Sequence, residues 1–207
     1  MPSHRQNWFE GWRLFAVLTL VLAVLCVGIA GMRGFEVDGV RMVIRFTART
    51  SLLFFSLAFS AAALARLWPN GWTRWQRRNR RYLGVTFAAS HGIHAIAIGC
   101  FALMDPVAYA AATNAASYIF GGIGYAFIIA MAATSFDRTA AAIGPRAFRI
   151  LHLTGGYYLL FQFTVSFGKR IPDMPPYALF LIPLLAVFAL RLIAMATARK
   201  PSAAQAG

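Results

Sequence analysis

The stretch LFAVLTLVLAVLCVGIAGM, residues 14–32, contains no charged side chain, and Thr19 is its only hydroxylated residue. A helix needs about 20 mainly apolar residues to cross the hydrocarbon core of a bilayer. Because that core holds no water to satisfy the backbone, segments that span it form helices or closed barrels. The stretch lacks the alternation of apolar and polar residues that is typical of barrel strands. It therefore predicts a transmembrane helix.

Five more apolar stretches follow it along the chain, at residues 46–65, 82–104, 115–134, 150–167 and 177–198. The composition agrees with a membrane protein, since 59% of the residues are hydrophobic and only 13% are charged. A soluble domain carries about 25% charged residues. We therefore expect an all-α fold, a bundle of six transmembrane helices that forms one domain over residues 1–207. The chain would be a multi-pass protein of the cell inner (plasma) membrane, with the lipid bilayer as its first partner.

The basic residues predict how the bundle is oriented. With the amino terminus inside, fourteen of the 20 Lys and Arg residues are cytoplasmic and six are outside. This split satisfies the positive-inside rule, and it places both termini and the loops 66–81 and 134–149 in the cytoplasm. The cytoplasmic set is Arg5, Arg13, Arg66, Arg74, Arg77, Arg78, Arg80, Arg81, Arg138, Arg146, Arg149, Arg191, Arg199 and Lys200. The outer set is Arg33, Arg41, Arg45, Arg49, Lys169 and Arg170.

The net charge of +14 and the segment WTRWQRRNRRY, residues 72–82, raise the question of a nucleic-acid partner. Basic patches with interleaved aromatic rings are typical of nucleic-acid binding. A basic segment beside a transmembrane helix also contacts anionic lipid headgroups, at about 1 kcal/mol per basic residue. We favour the lipid contact, because the charges flank apolar runs, and we expect no nucleic-acid partner.

Three of the four histidines lie inside apolar stretches: His91 and His94 on the third predicted helix and His152 on the fifth. A histidine inside a bilayer is costly and marks a candidate functional site. Imidazole is a good iron ligand, and haem is commonly held by side chains of facing helices. The alternative is that these histidines only form hydrogen bonds between helices.

The depth of each histidine tests whether two of them can hold one haem. At about 1.5 Å per residue, His91 lies about 15 Å and His94 about 20 Å beyond Arg81. By the same rise, His152 lies only about 5 Å beyond Arg149. Gln162, a poor haem ligand, matches the depth of His94. The depths therefore argue against a simple pair formed by His94 and His152.

Several short motifs occur in a characteristic order: FTART at 46–50, RRYLG at 80–84 with His94 ten residues on, Thr134-Ser135, Leu151-His152 and ALRL at 189–192. In this order and spacing they resemble the ferric-reductase-like transmembrane domain family. The chain is most similar to the haem-binding membrane subunit of the bacterial methionine sulfoxide reductase system. The resemblance covers most of the chain, from about residue 46 to residue 192.

The resemblance implies a membrane b-type haem protein that passes electrons across the membrane to or from a partner reductase. The donor would be cytoplasmic or a quinone, the acceptor a periplasmic reductase, and any quinone or flavin would sit on or come from a partner. The enzymatic role would be that of an electron-transfer subunit of an oxidoreductase. The alternative function is a haem-free membrane scaffold or anchoring subunit that kept the same helical bundle.

The resemblance also implies site residues. His94 and His152 match the haem-iron ligands of the family, and His91 is an additional candidate ligand. In the family, the partner of the histidine at position 94 lies where this chain has Val165, which cannot ligate iron. Arg49 is a candidate for contact with a haem propionate or a quinone carbonyl, although such an arginine more often extends to the headgroups. For Arg191 in the sixth helix we expect this extension to the headgroups.

Overall fold

The structure, a computed structural model, describes residues 9–198, and every regular element in that range is a helix. Arg5, Arg199 and Lys200, which belong to the predicted cytoplasmic set, lie outside the described residues. The all-α class is confirmed. The helices are α1 (Gly11–Gly31), α2 (Val37–Leu67), α3 (Gly71–Met104), α4 (Pro106–Ala112), α5 (Ala115–Ala133), α6 (Asp137–Gly168) and α7 (Leu181–Ala198), with a 3-10 turn at Pro175–Phe180 before α7.

Five helical segments of the described chain are long and apolar enough to cross a membrane: α1, α2, α3, α5 and the turn with α7, Pro175–Ala198. They correspond to five of the six predicted spans. The remaining predicted span, residues 150–167, lies within α6, which is not among the five. Its apolar half carries polar side chains, including those of His152 and Gln162, and these lower its hydropathy.

Three helices begin earlier than the sequence predicts. Helix α2 begins at Val37 instead of residue 46, α3 at Gly71 instead of 82, and α6 at Asp137 instead of 150. The predicted bounds followed the ends of the apolar runs, but charged residues such as arginine are good helix formers in water. At the start of α3, Asn70 and Thr73 form a reciprocal cap, with each side chain accepting the other's backbone N–H at 3.0 Å. The predicted loop at 66–81 is therefore wrong for residues 71–81.

Two irregular features lie between the long helices. Helix α6 is kinked at Gly144, whose φ of 75° is outside the helical region. Pro145, which follows it, has no N–H to donate to the preceding turn. The short helix α4 was not predicted. It begins with Pro106, and the Asp105 carboxylate accepts the backbone N–H of Ala108 at 2.9 Å.

The core of the bundle contains an aromatic cluster formed by Phe55 of α2, Phe87 of α3 and Phe163 of α6. All three are buried. The ring of Phe55 lies 5.6 Å from that of Phe87 and 5.4 Å from that of Phe163, measured between centroids. Aromatic pairs at such distances add to the stabilisation from burial alone. The cluster therefore ties α6 to the α2–α3 pair.

Helix α6 approaches its neighbours at two consecutive glycines. A Cβ atom on Gly156 would lie 2.3 Å from Cε2 of Phe59, and one on Gly155 would lie 2.9 Å from Sδ of Met131. The ring of Phe59 cannot easily move away, because it packs against Phe55 on one side and the Arg191 guanidinium on another. Small residues at helix interfaces permit this close approach in membranes.

We predict that Gly156→Ala destabilises the bundle by about 1–3 kcal/mol, the usual cost of overpacking a dense core. Thermal unfolding in detergent measures the loss. Gly92→Ala is the matched control, because a Cβ there meets nothing within 4 Å. Equal unfolding temperatures for the two variants would contradict the close approach of α6 to Phe59.

Candidate functional site

His94 is oriented by two groups of α2. Its Nδ1 atom lies 3.0 Å from the carbonyl oxygen of Ile44 and 3.0 Å from Oγ1 of Thr47. A carbonyl oxygen can only accept, so Nδ1 carries the proton. The Thr47 hydroxyl donates to the Val43 carbonyl at 2.7 Å, which leaves its oxygen free to accept from His94. In the neutral ring, Nε2 then carries the lone pair. Such a hydrogen bond on one nitrogen fixes the tautomer in which the other can bind a metal.

His91 lies one helical turn before His94, and the two imidazole rings stack with centroids 5.0 Å apart and planes at 25°. The His91 ring also packs on Tyr125 and Phe163, at 5.1 and 6.0 Å between centroids. Its Nδ1 atom is shielded from solvent and has no hydrogen-bond partner within residues 9–198. A buried nitrogen without a partner is costly. Its position beside a cavity makes it a candidate ligand contact.

Both rings line a cavity of about 430 Å³ that we call the double-histidine cavity. This volume lies within the range of small-molecule sites. The wall that α5 contributes has free space beside it, because a Cβ atom on Gly121 or Gly122 would meet nothing within 4 Å. Two cations, Lys169 and Arg170, lie at one end. The lining of this cavity includes His91, His94, Gly121, Gly122, Tyr125, Gln162, Phe163, Ser166, Lys169 and Arg170.

Helix α6 presents Gln162 and Ser166 to this cavity, but not Val165. The side chain of Val165 is 46% exposed on the outer face of the helix. Gln162 and Ser166 are four residues apart and share a helix face. Val165, the chain neighbour of Ser166, lies about 100° around the helix from it, toward the outer surface. The position that holds the partner histidine in the family therefore does not line the double-histidine cavity in this chain. Gln162, selected from the sequence only by its depth, does reach the cavity.

His152 lines a second cavity, of about 690 Å³, which we call the arginine cavity. The Nε2 atom of His152 lies 3.1 Å from Oγ1 of Thr134, and the His152 ring stacks on that of Phe148 with centroids 4.1 Å apart. The structure thus brings His91 and His94 together and leaves His152 apart from them. The lining of the arginine cavity includes Phe55, Phe59, Arg80, Arg81, Phe87, Ile128, Phe148, Arg149, His152, Leu153 and Arg191.

The aromatic cluster lies between the two cavities. Phe55 and Phe87 line the arginine cavity, and Phe163 lines the double-histidine cavity. Phe87 also packs against His91, with ring centroids 5.6 Å apart. The cavities are therefore neighbours separated by a layer of aromatic side chains.

Arg191 does not extend to the headgroups, so that expectation was wrong. Its Nη1 donates to the Phe59 carbonyl at 3.0 Å and its Nε to the Tyr157 hydroxyl at 3.3 Å. The guanidinium carbon also lies 3.9 Å from the centroid of the Phe59 ring. Neighbouring side chains and a backbone carbonyl thus keep this cation at the wall of the arginine cavity.

Arg49 lines neither cavity. Its guanidinium lies 5.4 Å from the ring centroid of Phe180 and 5.9 Å from that of Tyr177. The Tyr177 hydroxyl accepts a hydrogen bond from Arg170 at 3.3 Å. Tyr177 therefore connects Arg49 with Arg170, which lines the double-histidine cavity, and contact of Arg49 with a cofactor stays a prediction.

No curated protein and no solved structure matches the chain significantly. A family model does match, the one described as ferric reductase like transmembrane component, over residues 47–163. The matched region is more than half of the 207 residues, and it contains His91, His94 and His152. The chain belongs to the ferric-reductase-like transmembrane family.

Proposed function

We propose that this chain is a membrane b-type haem protein that passes electrons across the membrane to or from a partner reductase. Membership of the family indicates a membrane electron-transfer role. The observation that carries the haem assignment is the state of His94, whose Nδ1 is bound by α2 and whose ring lines a cavity of suitable size. Bound there, the iron supplies one-electron redox chemistry.

The residues of the double-histidine cavity fit a haem whose iron would be bound by one imidazole. His91 and His94 lie side by side on one helix, so they cannot bind opposite faces of one planar ring. The other residues that line the cavity include no histidine. His94 would therefore bind the iron, Ile44 and Thr47 would keep its ring oriented, and Lys169 and Arg170 would pair with the propionates. The bare backbone at Gly121 and Gly122 leaves room for the macrocycle.

The arginine cavity fits a haem less well. The Nε2 atom of His152 is engaged with Thr134, so ligation through that atom would break a hydrogen bond. His94 and His152 line different cavities, which argues against one haem bound by both histidines. We therefore assign haem to the double-histidine cavity, with His94 as the main ligand and His91 as a secondary contact.

A haem-free scaffold or anchoring subunit is the second candidate. The observation that favours it is that His94 and His152 each have hydrogen-bond partners on a neighbouring helix, as histidines that only join helices would. The unpartnered Nδ1 of His91 favours the haem protein, because a purely structural histidine would be expected to have a partner.

The partners follow from the resemblance to the methionine sulfoxide reductase membrane subunit. We propose a periplasmic reductase as acceptor and a cytoplasmic or quinone donor, with any flavin on a partner, in the inner membrane. We also propose six spans, which are the five apolar helical segments and α6, the fifth span in chain order. In support, Gly156 and Phe163 of α6 pack against Phe59 and Phe55 of α2 inside the bundle.

We predict that the purified chain, expressed with sufficient haem, contains haem b that acid acetone extracts, because the sequence lacks a Cys-x-x-Cys-His attachment motif. His94→Ala should lower the haem content, measured as pyridine haemochrome, by more than about tenfold, since losing even an outer partner of a metal ligand costs this much. His91→Ala, in the same cavity, should retain the haem with a shifted absorbance spectrum. Wild-type protein without a Soret band would support the scaffold instead.

If one imidazole binds the iron, the absorbance spectrum should be high-spin, and a second imidazole should convert it to low-spin. Gln162→His should yield a low-spin spectrum, because Gln162 lines the cavity that His94 faces. Val165→His is the matched control on the same helix, and it should leave the spectrum high-spin because Val165 faces outward. Conversion by Val165→His alone would show that α6 is rotated relative to this structure.

The six-span topology predicts that Asp105 and Asp173 are on the periplasmic side. Reporter fusions that end at these residues should be active outside the cytoplasm, whereas fusions at Arg66 and Arg138 should report the cytoplasm. If α6 does not cross the membrane, the fusions at Asp173 and Arg138 would report the same side. The chain would then have five spans.

A further inference from the structure

Four arginines line the arginine cavity: Arg80, Arg81, Arg149 and Arg191. Asp137 is hydrogen-bonded to Arg81, and this bond keeps the pKa of the Asp137 carboxyl below its ordinary value. Within residues 9–198, Arg80 and Arg149 make no hydrogen bond or ion pair with another residue. Cations gathered in one cavity repel each other unless an anion lies between them. The arginine cavity therefore suits an anionic group.

Most of the remaining cavity wall is apolar, although Thr134, Ser135 and His152 also line it. Phe148, Leu153 and Ile128 all line it. Leu153 is also 45% exposed on the outer surface of α6, so the cavity wall continues to the face of the bundle that meets lipid. A ligand that suits both parts of the wall has an anionic head and an apolar chain.

The cavity lies at the boundary of the apolar segments. Arg80 and Arg81 come just before the apolar part of α3, and Arg149 just before that of α6. Pro145, next to the kink in α6, also lines the cavity. This is the level at which phospholipid headgroups meet a membrane protein.

We propose that the arginine cavity is a binding site for an anionic phospholipid, whose phosphate contacts Arg80 and Arg149 and whose acyl chain runs along Phe148 and Leu153. Basic pockets between transmembrane helices at this level bind such headgroups. Arginine suits this role because its planar fork of donors matches a phosphate. The site goes beyond the electron-transfer function and requires no haem.

The test uses the full chain in nanodiscs of phosphatidylcholine with and without phosphatidylglycerol, and native mass spectrometry counts the lipid retained after extraction. We expect wild-type protein to retain phosphatidylglycerol selectively. The double variant Arg80→Gln, Arg149→Gln should weaken this retention at least about tenfold. Arg74→Gln, Arg77→Gln is the matched control, because it removes the same charge from exposed residues of α3 that line neither cavity. Equal melting temperatures of both variants in phosphatidylcholine discs show that they are folded.

Three outcomes would overturn the site. Equal loss of lipid in the two double variants would mean general attraction to charge, without a specific pocket. Displacement of the lipid by glycerol phosphate or inorganic phosphate at similar concentrations would mean a site for a soluble phosphate. A fall in haem content in the Arg80→Gln, Arg149→Gln variant, with lipid retention unchanged, would mean that the arginines serve haem propionates.

Discussion

The pairing of α2 with α3 is the interaction on which the rest of the bundle depends. Thr47, Ser51 and Ser90 at this interface are fully buried. The Ser51 hydroxyl donates to Ser90 at 3.0 Å, and the hydroxyls of Thr50 and Ser90 lie 2.9 Å apart. In a bilayer core that offers no water, small hydroxylated side chains let two helices approach closely and satisfy each other. His94 joins this polar interface through Thr47, so the packing that holds the two helices together also orients the imidazole.

The other helices build two chemically different cavities on this pair. The aromatic cluster and the close approach of Gly156 to Phe59 bring α6 against α2. On one side of the cluster, α5 and α6 leave open space beside His91 and His94. On the other side of the cluster, arginines of α3, α6 and α7 line the arginine cavity. A redox cofactor suits the first environment, which is mostly apolar with two imidazoles, and an anionic headgroup suits the second.

Hydropathy located five helical segments that are long and apolar enough to cross a membrane, because transfer of apolar side chains into lipid is the largest local term. It did not locate the helix ends, since α3 continues through the charged residues before Tyr82 under the Asn70 cap. Hydropathy also misjudged Arg191. A single segment offers such a cation only the headgroups, whereas the bundle offers it the Phe59 carbonyl. The depth estimate from helix rise did separate His94 from His152, because distance along a helix needs no knowledge of its neighbours.

The amino-acid sequence by itself determined the helical class, the apolar segments and the presence of three histidines within them. Each of these depends on the chemistry of one segment in lipid. Only the tertiary structure decided that His91 and His94 share a cavity without His152, that Gln162 and not Val165 lines it, and that Arg80 and Arg149 line the other cavity. These relations depend on which face each helix turns toward its neighbours. That choice comes from the fit of side chains between helices, as at Gly156 and Phe59, and neither composition nor periodicity records it.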